Sequence, residues 1–214
     1  MFDFHCHSVF SDGELIPAEI WQRVRVLNYK AIAITDHVDF SNYEFILENL
    51  TKICTAYRDL TPRLIPGIEI THVPPKLIPE LIAKAREKGA KIVVVHGETI
   101  VEPVEEGTNL AAILGGADIL AHPGLIKEEE VKLAAEKNIF LEISGRKGHC
   151  LTNGHIAKLA LKYGAPLIIN SDAHSPSDLL SQDLAIKVAL GAGLSREDVE
   201  HLWKIVETRF LKKL

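Results

Sequence analysis

The chain has 214 residues, with 24 Lys+Arg against 29 Asp+Glu and a formal net charge of −5. Its 47% hydrophobic and 25% charged content is that of a folded globular protein, not a disordered one, and the mildly acidic balance argues against wrapping long nucleic acid, which needs basic residues facing phosphates. No run of about eighteen apolar residues is present, which excludes an apolar membrane-spanning helix.

Short apolar runs alternate with helical segments along the chain. The first, MFDFHCH, places Asp3, His5 and His7 on one face and Phe2, Phe4 and Cys6 on the other, because side chains alternate along a strand. Pro17 then opens an amphipathic segment, PAEIWQRVRVLNY. The runs AIAITDH (31–37) and RLIPGIE (63–69) follow, and a helix ending at Gly89 precedes KIVVVHGE (91–98). Next come ADILAHPG (117–124) and IFLEIS (139–144), then a helix stopped by Gly164 and the last run, PLIINSDAH (166–174). The stretch 195–214 opens with Ser195 and has Asp198 three residues later, approximating a capping box. The opening residues carry no basic leader, so a signal peptide is not expected. Cys6, Cys54 and Cys150, odd in number and unpaired in spacing, imply a reducing, cytoplasmic setting.

Strand runs this apolar imply a parallel sheet covered by helices. With no Gly/Ser-rich linker, residues 1–214 read as one domain. An open sheet gathers ligand residues at one switch in strand order, whereas a barrel gathers them from every strand end. Here nearly every strand delivers a metal-capable side chain at its carboxyl end: His5 and His7, with Asp12 in the loop beyond, then His37, Glu69, His96, His122, Glu142, and finally Asp172 and His174. That distribution favours the barrel. Neighbouring imidazoles with carboxylates suit Zn, Mn, Fe or similar divalent ions. Glu69 sits in an apolar context where an unpaired carboxylate is expensive, and a cation partner resolves that cost. A carboxylate can also bridge two ions. His72, His149, His155 and His201 are read as loop or helix residues, and Cys6 as a small core residue.

The ordered set HxH with a downstream SDG, then TDH, GIE, a strand ending in His, AHPG and SDAH resembles the PHP (polymerase and histidinol phosphatase) superfamily, from Asp3 to His174. The resemblance implies a distorted TIM-like (β/α)7 barrel with a trinuclear centre. His5, His7, Glu69 and Asp172 would hold one metal. Glu69, His96 and His122 would hold a second, and Asp12, His37 and His174 a third. Two to three divalent ions (Zn, Mn or Fe) are expected, with Asp3 and Asp36 orienting ligand imidazoles.

Such ions polarise a phosphoryl oxygen and lower the pKa of a bridging water, giving hydroxide for in-line attack on phosphorus. Glu69 would support it, and His37 or His174 would protonate the leaving alcohol. Arg146 and Lys147 are the expected substrate contacts, with Arg146 gripping a non-reacting phosphate oxygen; Glu142, and similarly Glu98, is read as either a substrate contact or a residue that orients the metal ligands. The leading expectation is a histidinol-phosphatase-like phosphomonoesterase acting on a small phosphorylated metabolite. The acidic stretch HGETIVEPVEEGTN would repel a polyanion. The alternatives are a nucleotide or short-oligonucleotide phosphoesterase and a non-catalytic, metal-stabilised subunit of a larger assembly.

Overall fold

A computed structural model describes residues 1–211. The last three residues of the expected terminal helix lie outside the described residues. The strands are β1 (Phe2–Asp3), β2 (Ala31–Ile34), β3 (His37–Val38), β4 (Arg63–Ile70), β5 (Ile92–His96), β6 (Ile119–Ala121), β7 (Phe140–Ser144) and β8 (Leu167–Asn170). All pair in parallel in the order β1-β2-β4-β5-β6-β7-β8, with β3 also on β4. Ile34 opposes Pro66 and His37 opposes Glu69, so β2 and β3 keep one register and form a single strand path interrupted at Thr35–Asp36. The barrel is therefore seven-stranded, as the alternation of runs predicts.

The sheet closes at its carboxyl end. Beyond β1, Cys6 bridges Ala173; the His7 N–H donates to the Ala173 carbonyl at 2.8 Å and the Asp172 N–H to the His5 carbonyl at 2.9 Å. The Phe4 N–H donates to Asn170 Oδ1 at 2.9 Å. The residues that join the first strand to the last are thus the His-x-His and SDAH segments themselves.

Among the described residues eight α-helices cover the strands: α1 (Pro17–Val26), α2 (Tyr43–Ala56), α3 (Ile78–Glu87), α4 (Thr108–Gly115), α5 (Glu128–Lys137), α6 (Asn153–Tyr163), α7 (Gln182–Gly191) and α8 (Arg196–Phe210). Of these, α1, α3, α6 and α8 are the helices expected from the sequence. The pattern is faint in α4, only eight residues between Gly107 and Gly116, and in α7, which buries Ala185 and Ala189 while Leu184 and Leu190 stay exposed. In α5 three successive glutamates mask the apolar face, and Glu130 itself is buried. The amphipathic α2 was not singled out.

Ser195 and Asp198 form the expected reciprocal cap of α8. That helix brings Phe210 against Phe4 and Phe140, at ring-centroid separations of 5.1 and 5.0 Å. Phe4, fully buried outside the barrel wall, thereby ties the strand that carries His5 and His7 to a helix on the far side of the chain. Truncation of a buried aromatic costs about 3–5 kcal/mol, so Phe4→Ala should lower unfolding free energy by that amount in urea titration. Ser195→Ala, which removes only a cap, should cost about 1 kcal/mol.

Candidate metal centre

All nine side chains expected as metal ligands converge on one mouth, where His and carboxylate donor atoms form groups within 4.8 Å of one another. Glu69 lies at the bottom. Its Oε1 is 3.2 Å from His5 Nε2 and 3.6 Å from His122 Nε2, while its Oε2 is 3.5 Å from His7 Nε2 and 2.8 Å from His37 Nδ1. Asp172 reaches His7 Nε2 at 3.4 Å and His122 Nε2 at 3.6 Å. Nearer solvent, Asp12 Oδ1 is 3.2 Å from His174 Nε2 and 3.6 Å from His37 Nε2.

Hydrogen bonds on the far ring nitrogen aim the imidazoles. Nδ1 of His5 donates to Glu142 at 2.7 Å, that of His37 to Thr71 Oγ1 at 2.7 Å, and that of His174 to the Asp172 carbonyl at 3.0 Å. His96 Nδ1 faces the Gly97 carbonyl at 3.2 Å. Each leaves its Nε2 lone pair toward the mouth, the arrangement that fixes tautomer and orientation in metal-ligating histidines. Backbone strain sits in the same place: His122 (φ 27) and Asp172 (φ 53) occupy left-handed conformations that non-glycine residues rarely adopt. Gly13 of the SDG turn is required by close approach, since a Cβ there would lie 2.4 Å from the His7 carbonyl oxygen.

His5 Nε2, both nitrogens of His7, both oxygens of Glu69 and His122 Nδ1 are buried without a hydrogen-bond partner. Orphaned polar atoms at this density are costly, and divalent cations fit the donor set, because they would satisfy these atoms together. The charges show the same tension. Burial opposes charge on His5, yet Glu69, Glu142 and Asp172 hold its pKa well above the usual histidine value. His37 and His96 are also raised against burial, His37 chiefly by Glu69 and His96 chiefly by a hydrogen bond with Glu102. Burial, with His37 alongside, pushes His7 well below. Although burial would raise it, Glu69 is held well below the carboxylate range by His5 and His37. Burial raises Asp172.

Several expectations need correction. Of the two roles read for Glu142, the substrate contact fails and the ligand-orienting one holds: it is fully buried, with its oxygens taken by His5 Nδ1, the Asn170 amide and the His122 N–H. It does the orienting expected of Asp3 and Asp36, which reach no imidazole. Asp3, pushed by burial to about 7, accepts backbone N–H groups of His5 and Ser171 across the barrel seam. Asp36 accepts from Ser8 and Ser11 and shapes the loop that carries Asp12. Lys147 is exposed and lies outside the cavity lining. Glu98 turns inward to brace its own loop, accepting the Gly107 and Asn109 N–H groups at 2.9 Å.

Arg146 does line the cavity, of about 350 Å³, together with Asp12, His37, His96, His122, Asp172 and His174. It rests on Asp172, its Nη1 donating to the backbone carbonyl at 3.3 Å. Four further lining residues were not expected: Thr71, His72, Glu102 and His149. His149 lies in a 3-10 turn after β7, and Glu102 in an acidic loop with no strand-end signature, so strand periodicity could not flag them. Their one signal was residue type beside motif segments.

The sequence profile of the PHP domain family matches residues 3–137. The chain belongs to that family. An uncharacterized protein of Methanocaldococcus jannaschii is 50% identical over all of this chain and 99% of its own length. Ribonuclease P protein component 3 of Methanosarcina mazei is 27% identical over 99% of this chain and 89% of its own. A Proteus mirabilis protein named "probable phosphatase" is 26% identical over 87% of this chain and 83% of its own. Among solved structures, Aspergillus niger ochratoxinase superposes with a TM-score of 0.57 at 12% identity, over 89% of this chain and 66% of the longer one. A Bifidobacterium adolescentis protein named for an inferred metal-dependent phosphoesterase activity gives 0.50 at 15% identity, over 91% and 97%. At such identities the likeness is one of barrel fold.

For this PHP domain, metal binding should release protons at pH 7, because ligand imidazoles must be neutral while His5, His37 and His96 hold raised pKa values in the metal-free chain. Calorimetric titration with Mn²⁺ in buffers of different ionisation enthalpy should show this release, shrinking as pH rises and the imidazoles lose their protons beforehand. Glu142→Gln should weaken metal affinity by about 10–100-fold, measured by chelator competition.

Proposed function

We propose that this PHP domain is a metal-dependent phosphatase that hydrolyses a compact phosphomonoester, of the histidinol-phosphatase-like kind. The observation that carries the reading is the buried Glu69 carboxylate, with neither oxygen hydrogen-bonded and four imidazoles turned toward it. His5, His7, Glu69 and Asp172 would hold one ion, Glu69, His96 and His122 a second, and Asp12, His37 and His174 a third, with two to three Zn, Mn or Fe ions at full occupancy. Bound there, such ions supply Lewis acidity to a phosphoryl oxygen and lower the pKa of water at the site.

The chain's own residues then have distinct tasks. Glu69 spans the interior of the cluster and fixes the spacing of the donors around it. Arg146 leaves Asp172 to grip a non-reacting phosphoryl oxygen through its planar fork of donors. His37 and His174, the cluster imidazoles most open to the cavity, would protonate the leaving alcohol from Nε2 whenever the third ion does not occupy that nitrogen. A mouth of about 350 Å³ with Glu102 at its rim favours a small monoester over a polyanionic strand.

A second reading, a metal-bearing subunit of a larger assembly, draws support from the likeness to ribonuclease P protein component 3. Assaying histidinol phosphate, other small phosphomonoesters, nucleotides and a short single strand side by side with Mn²⁺ separates the readings. Turnover should be greatest on a small monoester and fall roughly 10³-fold or more in Glu69→Gln with the fold retained, while Arg146→Ala, which removes a charge-assisted substrate contact, should raise KM more than it lowers kcat. No hydrolysis of any monoester would leave the subunit reading, and unchanged turnover in Glu69→Gln would remove the mechanism.

A further inference from the structure

Glu102 and His149 enter the mouth from two loops that supply none of the nine expected ligands. The loop after β5 is pinned at its far end by the Glu98 carboxylate, and the Asn109 amide donates to the Pro123 carbonyl at 3.0 Å, in the turn that carries His122. Held this way, the loop sets Glu102 Oε2 3.0 Å from His96 Nε2. His149 arrives from the other side. It is 5% exposed and stacks on His122 with ring centroids 4.0 Å apart. Its Nδ1 is engaged by Thr99 Oγ1 at 2.9 Å, which ties the two loops together, and its Nε2 lies 3.4 Å from Glu102 Oε1. One donor atom each from His96, His122 and His149 lie within 4.8 Å of one another. A histidine fixed at Nδ1 with Nε2 turned to other imidazoles and a carboxylate has the attitude of a ligand.

We propose that Glu102 and His149 complete the shell of the divalent ion held by His96 and His122, extending the ligand set beyond the strand ends. The inference rests on the reading that the mouth binds divalent ions. Imidazole and carboxylate together suit the Zn, Mn or Fe class. With Glu69 below and two loop donors above, this position has the most chain ligands of the three and is the last to be emptied by a chelator.

The test uses the full chain, stripped and reloaded with Co²⁺ or Mn²⁺. Metal content by elemental analysis, affinity by competition with a colorimetric chelator, and the visible Co²⁺ spectrum are compared for wild type, His149→Ala, Glu102→Gln and Glu105→Gln. Glu102 is on an exposed loop, so its variant keeps the fold, which circular dichroism checks in every case. In His149→Ala and Glu102→Gln one ion should bind about tenfold or more weaker, as expected for loss of a ligand contact; the Co²⁺ spectrum should change, and the remaining ions should bind as in wild type. Glu105→Gln, on the same loop but away from the cavity lining, should match wild type. Wild-type stoichiometry, affinity and spectrum in Glu102→Gln would overturn the inference, as would an equal loss in Glu105→Gln. A wild-type chain that retains no ion would instead sink the reading beneath it.

Discussion

The Glu69 carboxylate is the constraint around which the barrel is organised. A charged group taken fully out of water costs several kcal/mol unless it is paired, and here it lies at the end of the longest strand, β4, with no hydrogen bond to either oxygen. Four imidazoles lie against it, contributed by segments separated along the chain by up to about half its length. A seven-stranded parallel barrel brings such segments to one rim because every strand points the same way and ends at the same level.

That rim is also where the barrel is sewn shut. The backbone bonds between residues 5–7 and 172–173 close the sheet, and the same short segments carry His5, His7 and Asp172. Folding and site assembly are therefore one event for these ligands. The strained backbone at His122 and Asp172, each costing about 1–3 kcal/mol, is held by the surrounding strands and by the Phe4–Phe140–Phe210 cluster behind the seam. Rigid support of this kind keeps donor atoms in place without relying on loops.

Outside this rigid ring, the site is finished by less regular pieces. Arg146, Glu102 and His149 come from loops after β7 and β5, interlocked through Thr99. Relatives of the PHP family carry names as different as phosphatase and ribonuclease P component, and a shared barrel is compatible with both because loops, not strands, set what meets the metals. In this chain the loops line the mouth with Glu102, Arg146 and His149.

The linear order of residues was enough to reveal the seven-strand alternation, the inward face of DFHCH and the nine strand-end donors, since each depends on local periodicity and on residue type at the end of an apolar run. In α4, whose eight residues bury Thr108 and Asn109 beside Ala112 and Ile113, and in α7, whose buried residues are Ala185 and Ala189, the apolar period is too faint to read. The roles of Asp3, Asp36 and Glu142 were decided by tertiary structure, because whether a buried carboxylate meets an imidazole or a backbone N–H depends on which strand lies beside it. His149 and Glu102 belong to the same class: residue type beside a motif segment does not say where a loop goes, and the crossing of two loops over the barrel mouth brings them to His96 and His122.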